Sequence, residues 1–437
     1  ATDDTWLVPH FEKMLYDNAL LVRTYLEAFQ VTGRELYGRI ASEVLDYVLA
    51  EMTSSEGGFF SATDADSEGR EGVFFVWRPA EVEEILGGED ARLFCRYFNI
   101  TTEGNFEEST SIAHVTASLD EVAASLGIEP DVASAKIEEG RKKLYEARAK
   151  RPAPFRDEKV LTSWNGMMIS ALARGFQVLG EPRYLQAAQR AAGLILEEVQ
   201  DGGRLLRVRK DGKSRITGFL DDNAFFIEAL LDLYESCFEV NYLEEARRLA
   251  DAVLAGFSDE EEAGLYFTSA EHELIITRRK DPFDGAVPSP TGVMALNLLR
   301  LERLTDTAGY RQRAEGILRE VSSMLPRAPM GFGSSLLALD FLLHPPVELA
   351  LVGDLSDTVS AEFLAVIHSG FLPARVITAS ENPPSGDLSA RVPLLEGKGH
   401  AGDGSRLYIC RDGSCREPID HPQEASAHLP FVSSPGG

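Results

Sequence analysis

The feature that most constrains this chain is a short turn that recurs between amphipathic segments, each time with an aromatic residue opening the second segment. Phe29-Gln-Val-Thr-Gly-Arg-Glu-Leu-Tyr37, Phe176-Gln-Val-Leu-Gly-Glu-Pro-Arg-Tyr184, Cys237-Phe-Glu-Val-Asn-Tyr242 and Leu304-Thr-Asp-Thr-Ala-Gly-Tyr310 share this form. Apolar residues at helical spacing on both sides make each an αα-hairpin. The later tyrosines recur at roughly 60-residue intervals, longer than the ~33–47 residues of common solenoid units. The excess goes into loops rich in glycine and aromatic residues, beginning at Gly57, Gly202 and Gly264. A plain solenoid of helix pairs usually lacks such loops. A closed ring of hairpins gathers them at one rim, where loops on a rigid scaffold carry function.

Composition narrows the class. The chain has 437 residues, 44% of them hydrophobic, enough to bury a large core. Asp plus Glu number 70 against 43 Lys plus Arg, a formal charge of -27 that disfavours nucleic acid and anionic membrane surfaces as partners. No apolar run is long enough to span a bilayer, and the start does not read as a signal peptide. Four cysteines in so long a chain do not form a disulfide scaffold, so a reducing cytoplasm is the simplest compartment.

The texture changes after residue 343. Val347–Val352 reads as a strand, residues 357–369 as a helix and Ala374–Thr378 as another strand, giving a small α/β unit over 344–437. Within it, Asp412-Gly413 is a two-residue hairpin turn that sets Cys410 opposite Cys415, either as reduced thiols or as a bridge. A second hairpin turns at Asp211-Gly212. Its Gly212-Lys-Ser is no phosphate loop, because Arg207 stands where the leading glycine would be.

Chemistry-bearing residues concentrate in a few blocks. In Trp6-Leu-Val-Pro-His10-Phe-Glu12-Lys-Met-Leu-Tyr16-Asp17, Pro9 suits a first helical position, and a helix from there sets His10 and Asp17 on one face. His10 suits proton transfer near neutral pH, with Glu12 and Tyr16 beside it as binding groups. His272 and His344 are the candidates for a second imidazole. Asp64 and Asp66 lie in a loop ahead of Trp77; with Glu68 they resemble half a calcium loop, but Phe75 stands where the bidentate Glu belongs, so no metal is expected. Asp221-Asp222 precedes an apolar helix, one as a cap and the other free to face a cavity. Paired carboxylates of this kind suit glycoside chemistry, one giving a proton and the other activating water or attacking the sugar. Trp164, Asn165 and Asp284 open further helices and offer stacking and polar contacts. No cofactor motif is present.

Five blocks in this order, from Trp6, Asp64, Ser163-Trp-Asn-Gly166, Gly218-Phe-Leu-Asp-Asp222 and Asp284-Gly-Ala-Val-Pro-Ser289, resemble the family of spermatogenesis-associated protein 20. The resemblance implies an (α/α)6 toroid of the six-hairpin glycosidase type over residues 1–343, joined in the family to an N-terminal thioredoxin-like domain. Nothing here matches that domain and the chain opens on Ala1, so a fragment that starts inside the barrel is expected. The implied function is a carbohydrate-active or sugar-binding barrel with His10, Asp17, Asp64, Asp66, Asp221 and Asp222 as acid/base groups. Its alternative is a non-catalytic barrel that regulates or presents clients to the thioredoxin-like partner.

Overall fold

The computed structural model describes residues 1–432 except 260, 275 and 403. They form two compact units. The smaller comprises residues 1–14 and 62–157, the larger residues 15–61 and 158 onward. The division therefore does not fall at 343/344.

In the smaller unit, helices Pro79–Leu86, Gly88–Tyr97, Leu119–Leu126 and Pro130–Arg148 enclose a core of Trp77, Leu93, Phe94 and Ile137. A three-stranded antiparallel sheet joins Lys13–Met14, Ala62–Thr63 and Arg156–Asp157. The helix expected from Pro9 does not form there. Asp3 accepts backbone N–H bonds from Thr5, Leu7 and Val8, which folds this stretch into a loop. Phe11 then stacks on Phe75 and packs against Phe106, with ring centroids 5.8 and 5.5 Å away. Burial of that ring overrides the local helical pattern, and the first helix starts only at Leu15.

The larger unit is built from hairpins. Helices α1 (Leu15–Thr32) and α2 (Glu35–Glu51), α3 (Thr162–Leu179) and α4 (Pro182–Glu198), α5 (Leu220–Cys237) and α6 (Val240–Phe257), and α7 (Pro290–Thr305) and α8 (Tyr310–Val321) are the four pairs. A single helix, α9 (Gly333–Leu343), follows them. The four repeated turns each end their first helix on a residue in the left-handed region, Gly33, Gly180, Phe238 and Asp306, and the fourth turn has a second at Gly309. That conformation reverses the chain. The repeated aromatic also finds its purpose. The Tyr184 hydroxyl on α4 bonds Asp46 on α2 at 3.0 Å, and the Tyr310 hydroxyl on α8 bonds Asp251 on α6 at 2.6 Å, so each locks one outer helix to the preceding one.

Helices α1, α3, α5, α7 and α9 pack side by side as an inner layer, with α2, α4, α6 and α8 outside. Nearly every residue of α5 is buried, as expected for a helix surrounded by others. This is a mainly α architecture, with four hairpins and a fifth inner helix among the described residues.

Strands β1 (Arg204–Lys210) and β2 (Lys213–Thr217) form the expected hairpin between α4 and α5. The C-terminal sheet has β3 (Val347–Val352) at its centre, parallel to β4 (Arg375–Ser380) and antiparallel to β5 (Arg406–Arg411), which pairs with β6 (Ser414–Cys415). Helix α10 (Thr358–Ser369) covers one face, where Leu349, Leu351 and Ile377 meet Phe363. Residues of the other face, Ala350, Val352 and Val376, join the core of the hairpins. Strand alternation thus ties the sheet into the helical unit. Cys410 and Cys415 pair in register and form a disulfide. Among the described residues no helix is long and apolar enough to cross a membrane.

Candidate functional site

Because successive helices alternate in direction, the five inner helices run parallel and their N-termini share one end of the layer. Contacts between first turns show this directly. The carboxylate of Asp222, on the first turn of α5, accepts the backbone N–H of Ser163 on α3 at 3.1 Å and of Phe219 at 2.9 Å. Asp284 does the same one pair further on. It accepts from the N–H of Ser289 ahead of α7, at 2.7 Å, and from the N–H and hydroxyl of Ser334 on α9, at 3.0 and 2.6 Å. Each aspartate satisfies orphan N–H groups of two helices at once and complements both dipoles. Glycine makes the approach close enough. A Cβ on Gly166 would lie 2.7 Å from the carbonyl of Phe225, and one on Gly292 2.3 Å from the Ser334 hydroxyl.

Asp221 differs from its neighbour. Asp222 is fully buried, whereas the Asp221 side chain keeps 16% of its surface exposed. Arg207, from the β1–β2 hairpin, holds both: its Nη1 lies 3.0 Å from Asp221 Oδ1 and 2.9 Å from Asp222 Oδ2. Burial, and then the adjacent Asp221, push the Asp222 carboxyl up to about 7, against the pull of Arg207 and the two N–H donors. The Arg207 guanidinium also lies over the Phe219 ring at 4.9 Å. Phe219 in turn stacks on His272, whose Nδ1 accepts from Ser269 and whose Nε2 donates to the Thr217 carbonyl.

On the other side of Ser163, Trp164 meets Tyr16 edge-on at 4.9 Å. Both rings are half-buried, and Asp17 beside Tyr16 is exposed on the first turn of α1. Two contacts, Tyr16 with Trp164 and Ser163 with Asp222, therefore link the first turns of three inner helices, on which Asp17 and Asp221 are the chain neighbours of Tyr16 and Asp222.

The remaining expected residues lie elsewhere or are otherwise engaged. His10 is exposed in the loop of the smaller unit and shares no helix face with Asp17. Glu12, Asp64 and Asp66 are exposed in the same unit, with Asp64 accepting the N–H of Asp66. Trp77 is not an open stacking platform: it is 7% exposed in the helical core, with the Arg151 guanidinium 3.9 Å from its ring centroid. Asn165 is fully buried and spends its amide on Phe59 and the Leu161 carbonyl, so it ties α3 to the preceding loop. Asp284 is the helix staple described above. His344 is exposed and pairs with Asp340. Among the described residues no group of three or more His, Cys, Asp or Glu side chains is gathered as a metal site. Sequence reading missed Arg207, although its alternation on a strand facing the Asp221 turn was available as a signal.

These features define a helical-hairpin barrel whose inner helix N-termini carry acids and aromatic rings. The chain belongs to the spermatogenesis-associated protein 20 family. The human protein of that name (Homo sapiens) is 32% identical over 459 residues, covering 97% of this chain and 58% of that protein. The Rattus norvegicus protein matches at 32% with the same coverage. The chain thus spans 58% of the length of these curated relatives. No family model matches. Among solved structures, D-mannose isomerase aligns with a TM-score of 0.41 at 12% identity, covering 76% of this chain and 61% of that one. Cellobiose 2-epimerase from Bacillus thermoamylovorans B4167 aligns with a TM-score of 0.34 at 11% identity, covering 70% of this chain and 72% of that one.

Proposed function

We propose that the larger unit is a carbohydrate-active or sugar-binding barrel whose ligand sits over the N-termini of α1, α3 and α5. The observation that carries this reading is the pair of contacts, Tyr16–Trp164 and Ser163–Asp222, that joins the first turns bearing Asp17, Trp164 and Asp221. Sugars are recognised by carboxylates that accept from hydroxyls and by ring surfaces that cover their apolar faces, and these first turns offer both. Asp221 is the acid/base group, oriented by Arg207 and partly open to solvent. Asp222 is a positioning residue, since its oxygens are already engaged. Asp17 is the second carboxyl, and the chemistry is proton transfer on a sugar-like ligand, of the hydrolase or epimerase kind.

A different reading has its own support. Asp222, Asp284 and Asn165, three of the residues expected to meet a ligand, are engaged in holding helices together. That suits a non-catalytic barrel that regulates or presents clients to a thioredoxin-like domain. A glycan and metabolite binding screen on this chain separates the two. Saturable binding of a sugar, abolished by Asp221→Asn, supports the sugar reading. No binding by this chain, together with client binding that needs a thioredoxin-like domain, supports the other.

A further inference from the structure

The inner helices carry a second polar region, toward their C-terminal halves. A cavity of about 150 Å3 lies there among α1, α3, α5, α7, α9 and residues 370–375, which lead into β4. Four guanidinium groups line it: Arg23 from α1, Arg174 from α3, Arg300 from α7 and Arg375 from the first position of β4.

Three of them meet carboxylates of α5. Arg23 pairs with Glu228 at 2.8 Å; Arg174 and Arg300 share Asp232 at 3.2 and 2.8 Å; Arg300 also faces Glu235 at 3.1 Å. Arg375 is different. It is 6% exposed, and its hydrogen-bond partners are neutral: Gln177 Oε1 and His368 Nδ1, both at 3.1 Å, and the Ile367 carbonyl at 3.3 Å. Its Nε has no hydrogen-bond partner. Burial, then Arg375 and Arg174, push His368 well below its ordinary range, so the imidazole is neutral and supplies no compensating charge. Burial, then Arg174 and Arg300, lower Arg375 to about 10 against the opposing pull of the more distant Glu235 and Asp232, neither of which hydrogen-bonds it, and it stays charged at neutral pH. A buried guanidinium with neutral partners beside a cavity is matched by an oxyanion, the group its fork of donors fits best.

We infer that this cavity binds the carboxylate of a small, singly charged molecule, with Arg375 as its principal partner and Arg174 beside it. Size and charge both limit the ligand. A cavity of this volume holds a molecule of about benzene's bulk. Glu27 and Asp340 also line it, and both are exposed, so they disfavour a polyanion such as phosphate. The inference stands independently of the sugar reading, since no residue is shared between the two regions.

Isothermal titration of the whole chain with sodium glycerate, inorganic phosphate and glycerol tests it. Saturable heat with glycerate alone is expected. Arg375→Met should weaken that binding by roughly 10- to 100-fold. Leu337 lines the cavity and is 60% exposed, so Leu337→Trp narrows the entrance without touching any charge and should weaken binding without unfolding the protein. Absence of glycerate binding to the wild type would overturn the proposal. So would equal affinity for phosphate or glycerol, or unchanged binding in both variants.

Discussion

The two ends of the inner helices are held by different chemistry. At the N-termini, carboxylates of Asp222 and Asp284 accept backbone N–H groups, and Gly166 and Gly292 let helices approach closely. Toward the C-termini, side chain meets side chain, with Asp232 between Arg174 and Arg300. Backbone capping fixes a helix end through its own orphan groups and tolerates an open rim. Breaking a guanidinium–carboxylate pair in a buried place is costly, because it leaves a charge without compensation. The N-terminal end is therefore free to present Asp221 outward, while the C-terminal region locks the C-terminal sheet onto the hairpins through Arg375.

This contrast sets an order of effects. Asp232→Ala should be the most damaging substitution, because it removes the carboxylate partner of Arg174 and leaves the buried Arg300 with Glu235 alone, costing about 3–5 kcal/mol, read as a lower urea midpoint. Burial raises the Asp232 carboxyl, but Arg174, Arg300 and Arg23 hold it well below the usual carboxylate range, so acid should weaken this network only at very low pH. Asp284→Ala should come next, at about 2 kcal/mol, because it frees the Ser289 and Ser334 donors together. If it equals Asp232→Ala, the two ends do not differ in the way described. Gly166→Ala should follow at about 1–2 kcal/mol: the added Cβ meets the Phe225 backbone, and the better helix propensity of alanine offsets part of the strain.

The subtlest effect is a slope. The Asp222 carboxyl ionises near 3.8 in the unfolded chain and at about 7 when folded. Between those values the folded state keeps a proton that the unfolded state has released, so this group's contribution is full below the window and lost as pH rises through it. Asp222→Asn should flatten that part of the stability profile, measured as thermal midpoint against pH. An unchanged slope would show that Asp222 is ionised throughout.

The same contrast explains what could be read in advance. Helix hairpins were legible because helical apolar spacing and the tyrosine of each outer helix repeat in the sequence, whereas the left-handed residue differs from turn to turn. The N-terminal end was legible in part: capping leaves a local signature, an aspartate at the start of an apolar run, but which of Asp221 and Asp222 turns inward depends on Ser163, far away in the chain. The segment from Pro9 was misread as helix because its fate is decided by Phe75 and Phe106, which a local pattern does not contain. The arginine network left no local trace at all. Arg23, Arg174, Arg300 and Arg375 come from four separate elements, and each alone looks like an ordinary helix or strand cation.

The most direct test is Asp221→Asn, with thermal midpoint and sugar binding measured on the same preparation. Asp221 is the partly exposed member of its pair, so a midpoint close to wild type and loss of binding are expected. A lowered midpoint with binding intact would contradict it, and would make Asp221 one more part of the helix cap.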